Sequence, residues 1–373
     1  MEVLIMNKKM VSNINFSSLI IFPILALFSG IGTHNTIKIA NVDSYISVIL
    51  AYIIGFIPIM LFLLIFNYKK DLNIVDKIKY LFGDVLGTFI NYVIDILVLL
   101  IGVTLFFGIN NFAISQFLAE TPILVLMILI GLLIVYNVYF GIETISRVGI
   151  IFLFIIIFLT IISTSGIIPH FEISNIKPIL ENGIILPLKG GLTLILTNIV
   201  PVFVLLIIPK GMIRDNKKTN GTLILFYTLA FIFAFLAILL TVGSLGIYLC
   251  DIYQYPEYTV LKKISLFNFL DRIENFIYTK WILSSFCSLA LIVYYLNITI
   301  KRESKKILPV IIVISMIYLS LTLFKNNTIF YNFILKIYPY ICLLLLSIYF
   351  IIGINIIIRK IFKIDKEENI SVV

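Results

Sequence analysis

Four polar side chains share one face of a stretch that is otherwise apolar. Asp95 follows Asn91 and Tyr92 by four and three residues, so on a helix the three lie together, and Thr88 extends their face by a turn. Inside a membrane a carboxylate is costly unless it is paired, hydrated or protonated. Asp95 therefore predicts a functional site that binds a cation, carries a proton or pairs with Lys189. A structural aspartate, hydrogen-bonded to backbone or to a hydroxyl, is the alternative.

Glycines interrupt two other apolar stretches. The first motif is SGIGT at residues 29–33, and the second is PLKGG at residues 187–191. Each glycine costs a helix about 1 kcal/mol relative to alanine, and irregular backbone at membrane depth is tolerated only where protein or water satisfies its polar groups. The motifs therefore predict two broken helices that flank a cavity. The alternative is that the glycines only let helices pack closely.

A cluster of serines lies well inside a third apolar stretch. Ser284, Ser285 and Ser288 either face a ligand or hydrogen-bond the carbonyl groups of their own helix. At a broken helix, unpaired N–H groups favour an anion and unpaired C=O groups favour a cation. The predicted ligand-binding residues are Gly30, Ile31, Gly32, Thr33, Tyr92, Asp95, Lys189, Gly190, Gly191, Thr193, Ser284, Ser285 and Ser288.

Residue types that bind metals or form disulfides are few and scattered. The chain has two histidines, His34 and His170, and three cysteines, Cys250, Cys287 and Cys342, none in the paired spacing of a metal site or a disulfide framework. No Ser/His or acid-rich constellation is directed at one cavity. We therefore expect no metal, no cofactor and no enzyme.

The composition places these residues in a membrane protein. Of the 373 residues, 61% are hydrophobic and 13% are charged, against roughly 45–50% apolar and 25% charged in soluble domains. The net charge of +9 comes from basic residues in short clusters between apolar runs rather than on one polar face, which argues against nucleic-acid binding. The surplus of apolar side chains is expected to contact membrane lipid.

Apolar runs of about 20 residues are long enough to cross the hydrocarbon core as helices. We predict an all-α polytopic protein that forms a single transmembrane domain over residues 1–373, followed at its end by a tail at 359–373. The ten predicted spans are about 16–37, 43–66, 85–115, 122–140, 147–166, 185–208, 222–247, 276–298, 307–324 and 331–357.

The distribution of Lys and Arg predicts the orientation of these spans. When alternate loops are counted, 19 of the 28 basic residues fall on one side. Cytoplasmic loops carry the excess of positive charge. The bias holds loop after loop only for an even number of spans, so both termini, the tail included, are predicted to be cytoplasmic.

The two glycine motifs predict an internal symmetry. They fall in the first and sixth spans, so that each begins one set of five, at about 16–166 and 185–357. A five-span unit has odd parity, so its second copy enters from the opposite face. This arrangement is typical of inverted-repeat transporters, which bind ligand at the midplane between two discontinuous helices.

The longest polar interval on the predicted outer side is residues 250–275. One helical face is largely apolar, which predicts an amphipathic helix that lies across the outer surface and can cover a cavity. The residues of this face are Val260, Leu261, Ile264, Phe267 and Leu270.

This segment carries a resemblance to a known family. Its residues resemble the outer-loop signature of the B subunits of spore nutrient germinant receptors (GerAB type), in the spore permease branch of the amino acid-polyamine-organocation superfamily. Length, ten spans, the first glycine motif and the Pro209-Lys210 end of span 6 extend the resemblance over nearly the whole chain. The signature residues are Pro256, Ile264, Phe269, Arg272, Ile273, Glu274 and Trp281.

The resemblance implies a fold, a location and partners. The fold is LeuT-like with broken helices 1 and 6, and it places span 8 beside the break in span 1. The location is the inner membrane of bacterial spores, and the partners are an A subunit and a lipoprotein C subunit. The implied role is recognition of a small nutrient, commonly an amino acid. The sequence departs from many relatives at 198–201, where Asn-Ile-Val-Pro provides no acidic residue.

Two functions fit these expectations. The first is a nutrient-sensing receptor subunit that signals to its partners. The alternative is a secondary transporter of an amino acid or amine coupled to H⁺ or Na⁺, which has the same fold.

Overall fold

The protein is helical throughout the part of the chain that its computed structural model describes, residues 11–262, 274–300 and 307–362. The only β-type pairing within those ranges is a single bridge between Val11 and Ile213. The α-helices are α1 Asn13–Ser18, α2 Ile21–Leu27, α3 Thr33–Ala40, α4 Ser44–Ile54, α5 Phe56–Asn67, α6 Ile74–Phe82, α7 Asp84–Gln116, α8 Ile123–Tyr139, α9 Ile142–Ile167, α10 Ile185–Leu194, α11 Thr219–Ile252, α12 Pro256–Lys262, α13 Asn275–Thr299, α14 Leu308–Leu323, α15 Asn327–Lys336 and α16 Tyr338–Ile361.

Seven helical stretches in the described ranges have the length and apolar composition needed to cross a membrane, which makes this a polytopic membrane protein. Three shorter apolar helices, Asn13–Leu27, Ile123–Tyr139 and Leu308–Leu323, accompany them. The seven stretches are Thr33–Asn67, Asp84–Gln116, Ile142–His170, Ile185–Ile207, Thr219–Ile252, Asn275–Thr299 and Asn327–Ile361.

The first glycine motif coincides with a π-helical turn, Phe28–Gly32, which we call the first π turn. It lies between α2 and α3, so the chain continues helically on both sides. A Cβ atom on Gly32 would lie 2.9 Å from the carbonyl oxygen of Leu27, so only glycine fits there without a shift. The Thr33 hydroxyl donates a hydrogen bond of 3.2 Å to the carbonyl of Phe28 and fixes the end of the turn.

The second glycine motif does not break its helix, so the break predicted at 187–191 is wrong in position. These residues lie inside α10, and the glycines serve close packing. A Cβ atom on Gly190 would lie 2.6 Å from the Ser47 hydroxyl oxygen, and one on Gly191 would lie 2.9 Å from the Ser47 carbonyl oxygen. The contact with α4 therefore offsets the low helix propensity of the two glycines.

The irregular part of this stretch begins after α10. A second π turn, Ile195–Ile199, is followed by a 3-10 segment, Val200–Ile207. Pro201 lies at the start of that segment and lacks an N–H, so the carbonyl of Thr197 cannot receive the usual helical hydrogen bond from it. The Tyr338 hydroxyl lies 3.5 Å from that carbonyl. Helix interruption thus follows the proline rather than the glycines.

Two buried lysines hold the end of α5. The Lys77 ammonium group donates hydrogen bonds of 2.9 Å and 3.3 Å to the carbonyls of Ile65 and Phe66. Lys210 donates to the side chain of Asn67. Cations at a helix C-terminus satisfy its free carbonyl groups and its negative dipole end. Burial lowers the pKa of Lys77 to about 8, and burial also lowers the pKa of Lys210.

The segment predicted as amphipathic is described only in part. Helix α12 covers Pro256–Lys262, where Val260 and Leu261 are buried as the pattern predicts. Residues 263–273, which include four of the signature residues (Ile264, Phe269, Arg272 and Ile273), lie outside the described residues. Residues 1–10 and 363–373 also lie outside the described residues, and with them both termini, which are predicted to be cytoplasmic.

Candidate functional site

The two π turns contact each other. At these turns some backbone carbonyl groups lack their usual helical hydrogen bond, and neighbouring side chains bond to them instead. The N–H of Phe28 bonds the carbonyl of Leu25, not that of Ile24 as in a regular α-helix. The Asn198 amide in the second π turn donates to the Ile24 carbonyl at 2.9 Å. Polar groups at an irregular helical turn need such partners inside a membrane protein.

Trp281 satisfies a second carbonyl of α2. Its indole N–H donates a 2.7 Å hydrogen bond to Ala26, and both residues are fully buried. Trp281 thereby links α13 to the start of the first π turn. This agrees with the expectation that span 8 lies beside span 1.

A small cavity lies between the two π turns, and we call it the inter-turn cavity. Its volume is about 10 Å³, which is close to the minimum for one water molecule. Gly32 and Thr193, both predicted, line it. Its lining is rich in hydroxyl and amide groups. The remaining lining residues are Leu27, Asn35, Thr36, Thr104, Leu194, Thr197, Ile334 and Tyr338.

A larger cavity lies on another side of the first π turn, and we call it the Lys280 cavity. It has a volume of about 70 Å³, and Phe28 and Ser29 of the first π turn form part of its wall. Lys280 from α13 and Glu257 from α12 also line it, so it offers one positive and one negative side chain. Further hydroxyl groups come from Thr160, Ser163, Thr164, Thr241 and Ser284.

The two charged side chains of the Lys280 cavity are largely withdrawn from solvent. Glu257 is 5% exposed, and Lys280 is partly buried. The two groups attract each other electrostatically, but within the described ranges they form no ion pair at 4 Å or less. One cavity thus presents side chains of both charges, which matches the two charged ends of a zwitterion.

The predicted serines divide into two groups. Ser284 lines the Lys280 cavity, and its hydroxyl donates 2.8 Å to the carbonyl of Lys280. Ser288 donates 2.8 Å to the carbonyl of Ser284, which is the bonding within one helix considered as the alternative. Ser285 is buried, and its hydroxyl has no partner among the residues that the structure describes.

The predicted residues of α10 mostly face away from both cavities. Lys189 is exposed, and it forms no ion pair with Asp95, since the only salt bridge in the described ranges joins Arg147 and Glu143. Thr193 lines the inter-turn cavity and donates 3.0 Å to the Lys189 carbonyl. The suggested Asp95–Lys189 pair is therefore absent from this structure.

The polar face of α7 lines a third cavity, which we call the Asp95 cavity. Thr88, Asn91, Tyr92 and Asp95 all contribute to it, as their spacing predicts. The Asp95 cavity is separate from the inter-turn cavity, to whose lining α7 contributes Thr104. That residue lies nine positions beyond Asp95, or about 13 Å along the helix.

Sequence reasoning missed several residues of these cavities. Lys280 is a lysine within an apolar span, which is itself a signal of a functional site. Thr104 and Thr197 are polar residues in apolar helices, but nothing local separates them from hydroxyls that bond their own helix. The proximity of Glu257 to Lys280 depends on how α12 folds onto α13, and no local pattern shows that.

Comparison with known proteins agrees with the resemblance read from the sequence. A family model described as "Spore germination protein" matches residues 10–329. The chain is 26% identical to spore germination protein A2 of Bacillus subtilis over 77% of this chain and 79% of that protein. It is 21% identical to spore germination protein XB of Bacillus anthracis over 73% and 76% of the two chains. With spore germination protein KB of Bacillus subtilis it shares 26% identity over 69% of each chain.

Proposed function

The chain belongs to the spore permease family of spore germination proteins, and on that premise we propose that it is the nutrient-sensing subunit of a germinant receptor. The proposed ligand is an amino acid, bound beside the first π turn. Recognition would change the contact between the two π turns, and partner subunits would respond to that change.

The Lys280 cavity carries the proposal. An amino acid presents a carboxylate and an ammonium group on one α-carbon, and Lys280 and Glu257 line one cavity with opposite charges. Ion pairs formed away from water are stronger than exposed ones, provided both charges find partners. Hydroxyl groups on α9, α11 and α13 would hold the remaining polar atoms of the ligand. Ser284 is the residue of the predicted serine cluster that belongs to this site.

The first π turn is suited to pass on the binding event. Phe28 and Ser29 face the Lys280 cavity, whereas Gly32 faces the inter-turn cavity. A ligand can shift an equilibrium only through different contacts with two states. We propose that the inter-turn cavity, closed to about 10 Å³ here, changes size between those states. The predicted residues Gly30, Ile31 and Thr33 would act through the position of this turn.

We also propose the membrane arrangement expected from the sequence. The three shorter apolar helices would cross with the seven longer stretches, giving ten spans in a LeuT-like 5+5 repeat. One π turn falls within the first predicted span, 16–37, and another within the sixth, 185–208, which supports this repeat. The protein would lie in the inner membrane of the spore with both termini in the cytoplasm, together with A-type and C-type subunits.

Ligand-induced thermal stabilisation of the purified chain across the amino acids tests the proposal. We expect at least one amino acid to raise the unfolding temperature of the wild type. Lys280→Met and Glu257→Gln should each reduce that rise at a given amino acid concentration. Lys189→Met is the matched control, because it removes an exposed lysine from α10, a helix that does not line the Lys280 cavity. A screen in which no amino acid stabilises the wild type would contradict the proposed ligand.

Transport is the alternative function of the same fold. Reconstituted vesicles with an imposed H⁺ or Na⁺ gradient distinguish the two. A sensing subunit should bind the amino acid without a gradient and produce no uptake of labelled ligand. Gradient-driven accumulation inside the vesicles would instead assign the chain as a transporter.

A further inference from the structure

The Asp95 cavity contains buried oxygen atoms that have no partner. Its volume is about 330 Å³, and residues of α6, α7 and the end of α13 line it. Asp95 is 7% exposed and Asn91 is 5% exposed. Within the described ranges, neither the Asp95 Oδ1 atom nor the Asn91 Oδ1 atom accepts a hydrogen bond. Buried acceptors of this kind are costly unless a donor or a cation reaches them.

The orientation of Asn91 is set by the neighbouring helix. Its Nδ2 atom donates a 3.2 Å hydrogen bond to the carbonyl of Val75 in α6. The amide oxygen is therefore the atom that remains available. Asp95 stands one turn further along the same face, and the Thr299 side chain, at the end of α13, lines the same cavity. Three oxygen-bearing groups from two helices thus line one cavity.

We propose that the Asp95 cavity binds a monovalent cation through the oxygen atoms of Asp95 and Asn91. One carboxylate with neutral oxygens matches a single positive charge, whereas divalent ions usually take several carboxylates. The cavity is much larger than a bare ion. The cation is therefore either a partly hydrated alkali ion or the ammonium group of a small organic amine, which share this recognition chemistry.

Among the residues that the structure describes, Lys79 is the other charged side chain that lines the cavity. It forms no ion pair with Asp95 at 4 Å or less in the described part of the chain. Its ammonium group would repel a second cation and compete for the carboxylate. Removing it through Lys79→Met should therefore strengthen cation binding rather than weaken it.

Thermal stability of the purified chain in different chloride salts tests the site. Ionic strength is kept constant with N-methylglucamine chloride, and sodium, potassium, ammonium or methylammonium chloride replaces part of it. We expect at least one of these cations to raise the wild-type unfolding temperature in a saturable manner. A rise caused by sodium or potassium would identify the bound cation as an alkali ion, and a larger rise with methylammonium would identify it as an organic amine.

Two variants decide whether the response comes from this cavity. Asp95→Asn should raise the cation concentration needed for the half-maximal rise in unfolding temperature at least tenfold. Asp84→Asn, which removes the same charge from an exposed position in the first turn of α7, should leave it unchanged. If Asp95→Asn does not fold, Thr299→Val replaces it and should also weaken binding.

The proposal fails if no cation stabilises the wild type beyond N-methylglucamine. It also fails if Asp95→Asn, or Thr299→Val in its place, responds as the wild type does. No amino acid is present in these measurements, so their failure would not bear on nutrient sensing.

Discussion

Asn198 in the second π turn donates its amide N–H to the carbonyl oxygen of Ile24 at 2.9 Å, and so joins two distant helices. The Ile24 carbonyl can only accept, so the N–H end of the amide faces it, and the Asn198 side-chain oxygen lies 2.6 Å from the Thr197 hydroxyl. An ionised carboxylate has no hydrogen to donate. The absence of an acidic residue at 198–201, seen first as a departure from many relatives, is therefore part of how this chain connects its two π turns.

Asn198→Asp should destabilise the protein. An aspartate would place a second acceptor opposite the Ile24 carbonyl and leave both without a donor, at a cost of about 1–3 kcal/mol or more if the group stays charged. Thermal unfolding in detergent measures this. Asn198→Leu, which removes the donor without adding charge, should cost less than the aspartate. An aspartate variant as stable as the wild type would show that the link does not hold the turns together.

Gly191→Ala should destabilise the contact between α10 and α4. Its new methyl group would meet the backbone carbonyl of Ser47 at 2.9 Å, which cannot move aside as a side chain can, and overpacking of this kind typically costs about 1–3 kcal/mol. Gly221→Ala is the control, because a Cβ atom there meets nothing within 4 Å. Since alanine is the better helix former, Gly221→Ala should be neutral or stabilising in the same unfolding assay.

Ligand analogues should distinguish the two ends of the Lys280 cavity. In the wild type, an amino acid amide should bind more weakly than the free amino acid, because it lacks the carboxylate that pairs with Lys280. In Lys280→Met this preference should disappear, whereas in Glu257→Gln it should persist with lower affinity. Isothermal titration of each variant with both ligands measures the preference. An unchanged preference in Lys280→Met would place the carboxylate elsewhere.

Stability should rise with pH above about 8 through Lys77. Burial lowers its pKa in the folded protein from the ordinary 10.5 to about 8. Between these values the unfolded chain binds a proton that the folded chain does not, so unfolding becomes less favourable as pH increases. Below pH 8 the full cost of the buried charge is present.

Comparison with Lys77→Met isolates this contribution. Lys210 is shifted in the same direction and titrates in both proteins, so the difference between their unfolding free energies belongs to Lys77. We expect the unfolding free energy of the wild type to rise by about 1–3 kcal/mol relative to that of Lys77→Met between pH 8 and pH 10.5. A difference that stays constant with pH would mean that Lys77 remains charged in the folded state.

The sequence predicted features that depend on nearby residues. Long apolar runs located the helices, because lipid contact makes a span apolar along its whole length. The spacing of Thr88, Asn91, Tyr92 and Asp95 correctly predicted one shared face, since helical periodicity alone fixes it.

Features that depend on a distant partner were not predictable in the same way. Gly190 and Gly191 remain helical because Ser47 packs against them, and the PLKGG motif contains no sign of that contact. Glu257 and Lys280 meet only when α12 lies against α13. The sequence likewise could not show that Asp95 and Gly32 line separate cavities.

The first π turn determines how far α2 is rotated about the helix axis relative to α3. A π turn accommodates one residue more per turn than an α-helix, and one residue corresponds to about 100° of rotation around the axis. Loss of a single residue from Phe28–Gly32 would therefore turn α2 relative to α3, and the carbonyls of Ile24 and Ala26 would no longer face Asn198 and Trp281. In this segment the number of residues constrains the protein as strictly as their identity does.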